Sequence, residues 1–262
     1  MLVHIIADYG VGDLAFAEVV QRIKLHLPDA EPVLVPVPAF ATVAAGFCIA
    51  QLSRHAGPPG TIIYHNVAPR QDDPGARSAN AGERLAYARL VTDVHVIGVN
   101  AGYAYSFIKD AAKELRWMAS PAAGSQFRSR DIFPQAAAAI AQGALDTLGD
   151  NMDSSSIPEL PSSVLAYVDG YGNMKTTIAY NAHTVTPGKR IRIRIDEEQH
   201  EAISSDGTFA VPEGTLAFAP GSSGWDLASG TKVRWMEIFL RGGNAWQLFQ
   251  QPPNGSPVFA GL

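Results

Sequence analysis

Three short apolar runs, Leu2–Ala7, Pro32–Val37 and Thr61–Val67, alternate with two stretches of helical character. The first helix is expected over Leu14–Leu27, with Phe16, Val19, Val20, Ile23 and Leu27 on one face and Pro28-Asp29 ending it. The second is expected over Ala41–Ser53, followed by a turn at Gly57-Pro58-Pro59-Gly60. A strand–helix–strand–helix–strand order predicts an α/β domain, a parallel sheet with helices on both faces. Ligands of such sheets sit beyond the carboxyl ends of the strands. Asp8 stands at such an end, and a turn or helix N-cap is its local alternative.

The apolar pattern breaks at the polar stretch Ala68–Gly82 and resumes over Arg84–Leu90 and Val94–Val99, which runs into the turn Asn100-Ala101-Gly102. A loop as long as Ala68–Gly82 inside a compact domain suggests a functional lid or disorder. Phe127–Phe133 opens a further helix that includes Ala136–Ala141. Arg128, Ser129, Arg130 and Asp131 fall at its start, where the backbone favours anions; capping is the alternative role. Gly149–Ser163, with two prolines and a serine triplet, reads as a linker. Beyond it helical periodicity disappears and turns recur every eight to twelve residues. Strands are expected at Arg190–Ile195, Phe209–Val211, Thr215–Ala219, Val233–Leu240 and Ala245–Phe249, with the tail 251–262 as an irregular strap. The expected organisation is an α/β domain over 1–150, a linker over 151–163 and an all-β barrel or sandwich over 164–262.

Composition narrows the function classes. The net charge is −5, and no run of Lys or Arg exceeds two residues, which argues against nucleic acid as a partner. No apolar stretch is long enough for a membrane span, and the first residues lack the basic and apolar segments of a signal peptide, so a cytoplasmic protein is expected. The single cysteine, Cys48, leaves no internal disulfide and no cysteine-rich metal site.

The stretch richest in chemistry is Leu165–Met174. An alternating strand stops at Asp169-Gly170-Tyr171-Gly172-Asn173. Its glycines allow a tight turn, while Asp169 offers a carboxylate, Tyr171 a ring, and Asn173 both a donor and an acceptor. These groups suit a small polar molecule with a cationic and a flat part. An ordinary Asp-Gly hairpin is the alternative.

Five stretches occur in the order Ala7–Gly10, Phe127–Phe133, Val168–Asn173, Gly221–Gly224 and Met236–Ala245. Together they resemble the S-adenosylmethionine hydroxide adenosyltransferases, relatives of the fluorinase and chlorinase. The resemblance covers both domains. It implies S-adenosylmethionine as substrate, with no cofactor or metal, and a homotrimer whose sites lie between the α/β domain of one subunit and the β domain of the next. By motif position, Asp8 would hold the ribose diol, with Phe40 near it, and Asn100 would line the same site. Asp169 would meet the methionine ammonium, Tyr171 and Asn173 the adenine, and Ser222 and Ser223 the methionine carboxylate. Asn244 and Ala245 would reach the adenine through their backbone.

The reacting half implied by the resemblance is altered here. The family's Asp-Pro-Gly is Ala68-Pro69-Arg70, and the tripeptide recurs at Asp73-Pro74-Gly75. Asp73 is therefore the candidate carboxylate and Arg84 the candidate arginine, with Arg77 as second choice. Arg128 stands where the family has histidine, and Ser129 matches the serine of the fluorinase halide site. Hydrolysis of S-adenosylmethionine to adenosine and methionine is the expected activity. Delivery of another nucleophile such as halide, or nucleoside binding without turnover, are the alternatives. His65 is expected to be structural.

Overall fold

The computed structural model describes residues 1–55, 57–67, 75, 83–119, 125–181, 185–227 and 229–261. The chain forms two compact units, Met1–Leu160 and Pro161–Leu262. Each is built on a seven-stranded mixed sheet.

The first unit contains β1 (Leu2–Ala7), β2 (Glu31–Pro36), β3 (Ile62–Asn66), β4 (Leu85–Leu90), β5 (His95–Val99), β6 (Ala112–Met118) and β7 (Leu148–Asn151), in the spatial order β2-β1-β3-β5-β4-β6-β7. β1 pairs in parallel with β2 on one side and β3 on the other, and β3 pairs in parallel with β5. The expectation of a parallel sheet needs correction on the far side, where β4 runs antiparallel to both β5 and β6, and β7 antiparallel to β6. The link Val91–Val94 is too short for a crossover, so β4 and β5 can only form a hairpin. Asp93, with φ 61°, makes its tight turn.

Helix α1 (Leu14–His26) is capped by Asp13, whose Oδ1 accepts from the Ala15 N–H at 2.8 Å. Phe16, Val19 and Ile23 bury one face against Val3, Ile5, Ala7, Ile62 and Tyr64. Helix α2 (Thr42–Ser53) lies against β1 and β3, and none of its side chains joins that cluster. Phe47 of α2 instead meets Phe107 edge to face at 6.1 Å. The helix expected from Phe127 onward is broken in two, α3 (Arg128–Asp131) and α4 (Phe133–Ala141). Pro134 explains the break, because it has no N–H to donate to the Arg130 carbonyl four residues back and its ring would crowd that carbonyl, whereas it is tolerated in the first turn of a new helix.

His65 on β3 is fully buried, between the bare backbone of Gly98 and the Tyr105 ring at 5.2 Å. Neither ring nitrogen has a hydrogen-bond partner among the described residues. Burial pushes its pKa down to about 3, so the ring is neutral and packs as an apolar body.

The second unit contains β8 (Leu165–Val168), β9 (Met174–Ala179), β10 (Arg190–Ile195), β11 (Glu198–Ser204), β12 (Leu216–Asp226), β13 (Lys232–Leu240) and β14 (Val258–Ala260), ordered β14-β10-β11-β12-β13-β9-β8. Strict alternation on β10 sends Ile191, Ile193 and Ile195 into the core and leaves Arg190, Arg192 and Arg194 exposed. The sheet's two edges meet. Val164 bridges Pro257, the Leu165 N–H donates to Ser256 O at 2.9 Å, and the Gly255 N–H donates to Leu165 O at 2.8 Å. The result is a nearly closed barrel.

Three expectations are corrected here. The segment at Phe209 is a 3₁₀ turn, Thr208–Ala210, and not a strand. Ala245–Leu248 is a short helix, α5, because Asn244 caps it by accepting from the Gln247 N–H at 2.8 Å. The tail is no irregular strap, since it contributes β14 and the closure of the barrel.

The buried histidine generates a pH dependence. Below about pH 6.5 the unfolded chain takes up a proton at this side chain, whereas the folded chain refuses it down to about pH 3. Its contribution to stability is therefore complete above the unfolded pKa and is lost as pH falls, by about 1.4 kcal/mol per pH unit. Urea unfolding of the wild type and His65→Leu across this acidic range should give a slope shallower by about one proton in the variant.

Candidate functional site

In the first unit the sequence candidates gather at the carboxyl edge of the parallel strands. Asp8 follows β1 and Asn100 follows β5, with Asn66, which was not a candidate, at the end of β3 between them. Because β4 runs the opposite way, Glu83 and Arg84, which precede it, lie at that same edge, and the Asn100 N–H donates to Arg84 O at 2.9 Å. The connection from β1 leaves toward β2, whereas the connection from β3 leaves toward β4 and β5 on the other side, so the two diverge between β1 and β3. This is the place where open α/β sheets form a crevice.

Asp8 does not cap α1. Its Oδ2 accepts from the Phe40 N–H at 3.0 Å, which ties the end of β1 to the loop after β2. Phe40 is held in the left-handed region, φ 62°, with its side chain 37% exposed. A bulky residue there is a local strain of the kind found at binding sites.

Tyr9 donates to Ser129 Oγ at 2.6 Å, joining residues 120 positions apart. Ser129 is buried, and its backbone carbonyl also accepts from the Tyr64 hydroxyl. Asn66 makes a further hydrogen bond to Tyr9. Burial, with the Asp8 carboxylate adding to it, pushes the Tyr9 phenol well above its ordinary pKa. Tyr9 is therefore a protonated donor at any working pH, and the Ser129 oxygen is fixed by it.

The arginines of this region are engaged within the chain. Arg128 donates to Glu83 O at 2.8 Å and lies over the Phe133 ring at 5.3 Å. Arg130 pairs with Glu18 at 3.0 Å and with Asp131. Arg130 and the Ser125 hydroxyl hold the Asp131 carboxyl down to a pKa of about 2. Arg84 stacks on Trp117 at 4.0 Å. Asp73 and Arg77 lie outside the described residues. Cys48 is buried, with its thiol pushed up to about 12, and is no nucleophile at neutral pH.

In the second unit, Asp169–Asn173 is a hairpin turn between β8 and β9, closed by the Asp169 N–H donating to Asn173 O at 3.1 Å. Asp169 Oδ1 accepts from the N–H groups of Tyr171 and Asn173, each at 3.0 Å. Its Oδ2 accepts from Asn173 Nδ2 at 3.1 Å and faces Lys175 Nζ at 3.4 Å. Lys175 also donates to Glu237 Oε2 at 3.0 Å, and both side chains are buried. Tyr171 projects outward, 80% exposed. The Trp246 N–H donates to Gly172 O at 3.0 Å, so the turn and the start of α5, with Asn244 and Ala245, are held together. Ser222 and Ser223 fall where β12 slips register against β13, between Pro220 and Gly224; Ser222 is exposed and Ser223 buried.

Structure thus unites Asp8 with Phe40 and Ser129 with Tyr9, and it unites Asp169, Asn173 and Gly172 with Asn244. Tyr9, Tyr64, Asn66, Lys175 and Glu237 were not among the sequence candidates. Tyr9 lay inside a motif that was used for its aspartate. Lys175 and Glu237 had a signal, the one charge of β9 and the one acidic residue of the apolar half of β13. Among the described residues, no three His, Cys, Asp or Glu side chains come together as a metal site, and no helix is long and apolar enough to cross a membrane.

No protein-family model and no curated protein matches the chain. Among solved structures it is similar to an uncharacterized conserved protein from Thermotoga maritima, at 19% identity and a TM-score of 0.76 over 99% of this chain and 100% of that one. It is also similar to a conserved hypothetical protein from Thermus thermophilus, at 20% identity and a TM-score of 0.67 over 98% of each chain. The fold is shared with both.

Gly172 makes the turn testable. It sits at φ 79°, and a Cβ there would stand 2.1 Å from Asn244 Oδ1. Gly172→Ala should cost roughly 2–4 kcal/mol, from left-handed backbone and a displaced helix cap together. Chemical denaturation should record the loss as a lower midpoint.

Proposed function

We propose that this chain binds an adenosyl compound and hydrolyses S-adenosylmethionine to adenosine and methionine. The observation that carries this reading is the tie between two distant motifs at one strand edge, Asp8 to Phe40 and Tyr9 to Ser129. A carboxylate at the end of β1 suits a ribose diol, and a buried hydroxyl held by a protonated tyrosine suits a small nucleophile. The sulfonium leaves as a neutral thioether, so no general acid is needed. The demand falls on positioning water in line with the C5′–S bond and excluding bulk solvent. Ser129, fixed by Tyr9, would hydrogen-bond that water. Arg128 is permanently charged and can orient or neutralise but not take the proton. By sequence, that task falls to Asp73.

Ser129 also supports the second reading, transfer of halide or another nucleophile to C5′. One incubation separates the two. With S-adenosylmethionine alone and with added chloride or fluoride, hydrolysis gives adenosine and methionine in every case, and transfer gives a halogenated nucleoside. Unchanged substrate with no measurable binding overturns both readings. Asp8→Asn, which keeps an acceptor for Phe40, should weaken adenosine binding about ten- to a hundred-fold by calorimetry, the worth of hydrogen bonds to a charged group. In the adenosine-release assay Asp73→Asn should slow turnover by about a hundred- to ten-thousand-fold, with Asp72→Asn near wild type. Equal rates in both would remove Asp73 from the reaction.

The resemblance implies trimers. Val33 and Leu34 on the edge strand β2 are 40% and 47% exposed, which supports burial of that edge in an assembly. Light scattering should give a multiple of 27.9 kDa, and a monomer with ligand bound would refute the assembly.

A further inference from the structure

We propose that Lys175 is an internal counter-ion at the Asp169 site and determines how far that site responds to an ammonium group on a ligand. The proposal rests on the adenosyl reading only in placing a ligand tail at Asp169. Register alignment puts Lys175 of β9 directly opposite Glu237 of β13. Their neighbours Met174, Met236 and Ile238 face the barrel core, so alternation sends Lys175 and Glu237 to the other side of the sheet. There they are buried nonetheless, at 9% and 8% exposure. Gly221, in the irregular stretch of β12, leaves the space. A Cβ at that position would stand 2.4 Å from Glu237 Oε2.

The accounting at Asp169 is then full. A carboxylate offers about four acceptor positions. Two are taken on Oδ1 by the N–H groups of Tyr171 and Asn173, and Oδ2 meets Asn173 Nδ2 and Lys175 Nζ. A ligand ammonium reaches this carboxylate only by displacing a donor the chain already supplies, and the cation it would displace is itself paired with a buried glutamate at 3.0 Å. Removing one partner of such a cluster leaves uncompensated buried charge, which a cation from solution would neutralise. The wild-type site therefore gains little from an ammonium-bearing tail, and loss of Lys175 converts it into an ammonium receptor. Within the adenosyl class, this favours substrates recognised through their nucleoside part.

The test compares two unreactive thioethers by calorimetry, S-adenosylhomocysteine with the amino-acid tail and 5′-methylthioadenosine without it. In the wild type their affinities should agree within about three-fold, the range of a screened ion pair. In Lys175→Met the tailed ligand should gain about ten-fold or more over the tail-less one, the scale of a charge-assisted hydrogen bond. A ratio unmoved by the substitution overturns the proposal. A second arm uses no nucleoside. Lys175→Ala is melted with increasing propylammonium, with propanol as control. Saturable stabilisation by the ammonium, absent in wild type, supports the proposal, and a response equal to wild type overturns it. If neither thioether binds wild type, the adenosyl reading falls and the propylammonium arm alone decides on Lys175. Should the alanine variant fail to fold, Lys175→Met combined with Glu237→Gln leaves the single carboxylate Asp169 and is carried through both arms with the same outcomes.

Discussion

The first unit depends on β1 being paired in parallel on both flanks. Parallel neighbours require crossovers, and the crossovers supply α1 and α2. The connection from β1 leaves toward β2 and that from β3 toward the opposite side, so the two diverge and open a crevice between the ends of β1 and β3. Asp8 and Tyr9 stand in that opening because they are the first residues after the strand. The same edge receives Ser129 from a segment far along the chain, and the Tyr9–Ser129 hydrogen bond fixes where that segment sits. Backbone pairing thus decides which side chains meet, and the tyrosine then sets one donor geometry among them.

The second unit solves a different problem. A buried lysine, a buried glutamate and an aspartate at a turn would each be costly alone. Together they satisfy one another, with backbone N–H groups from the turn completing the aspartate. Desolvation offsets much of the mutual attraction in such a cluster. The effect of the cluster falls on binding, since the charges are already compensated before any ligand arrives.

Elements governed by local rules were legible in the sequence. α1 followed from apolar spacing and the Pro28-Asp29 stop, and β10 from the alternation of isoleucine with arginine. Elements governed by distant partners were not. β6, Ala112-Lys-Glu-Leu-Arg-Trp-Met118, is rich in helix formers and is a strand because β4 and β7 pair with it. β11 begins Glu198-Gln199-His200-Glu201 and carries little apolar signal on its exposed face. At the candidate site, the glycines and Asp169 announced a turn, which itself supplies the donors of Tyr171 and Asn173, but the pairing of Lys175 with Glu237 could be found only once β9 and β13 were in register. The Tyr9–Ser129 contact was invisible for the same reason, as it spans most of the first unit.

Barrel closure has a consequence for the order in which the protein can be made. The edges are joined by residues 163–165 on one side and 255–258 on the other, so nearly the whole unit separates the two halves of the seam. During synthesis the first unit has all its strands available early. The second holds an unpaired edge at β8 and at β10 until its last strand emerges. Contacts of such long sequence separation form slowly, and open edges invite pairing between chains. The exposed arginines at alternate positions of β10 place like charges along that edge while it waits, a repulsion that opposes the pairing of one nascent chain with another.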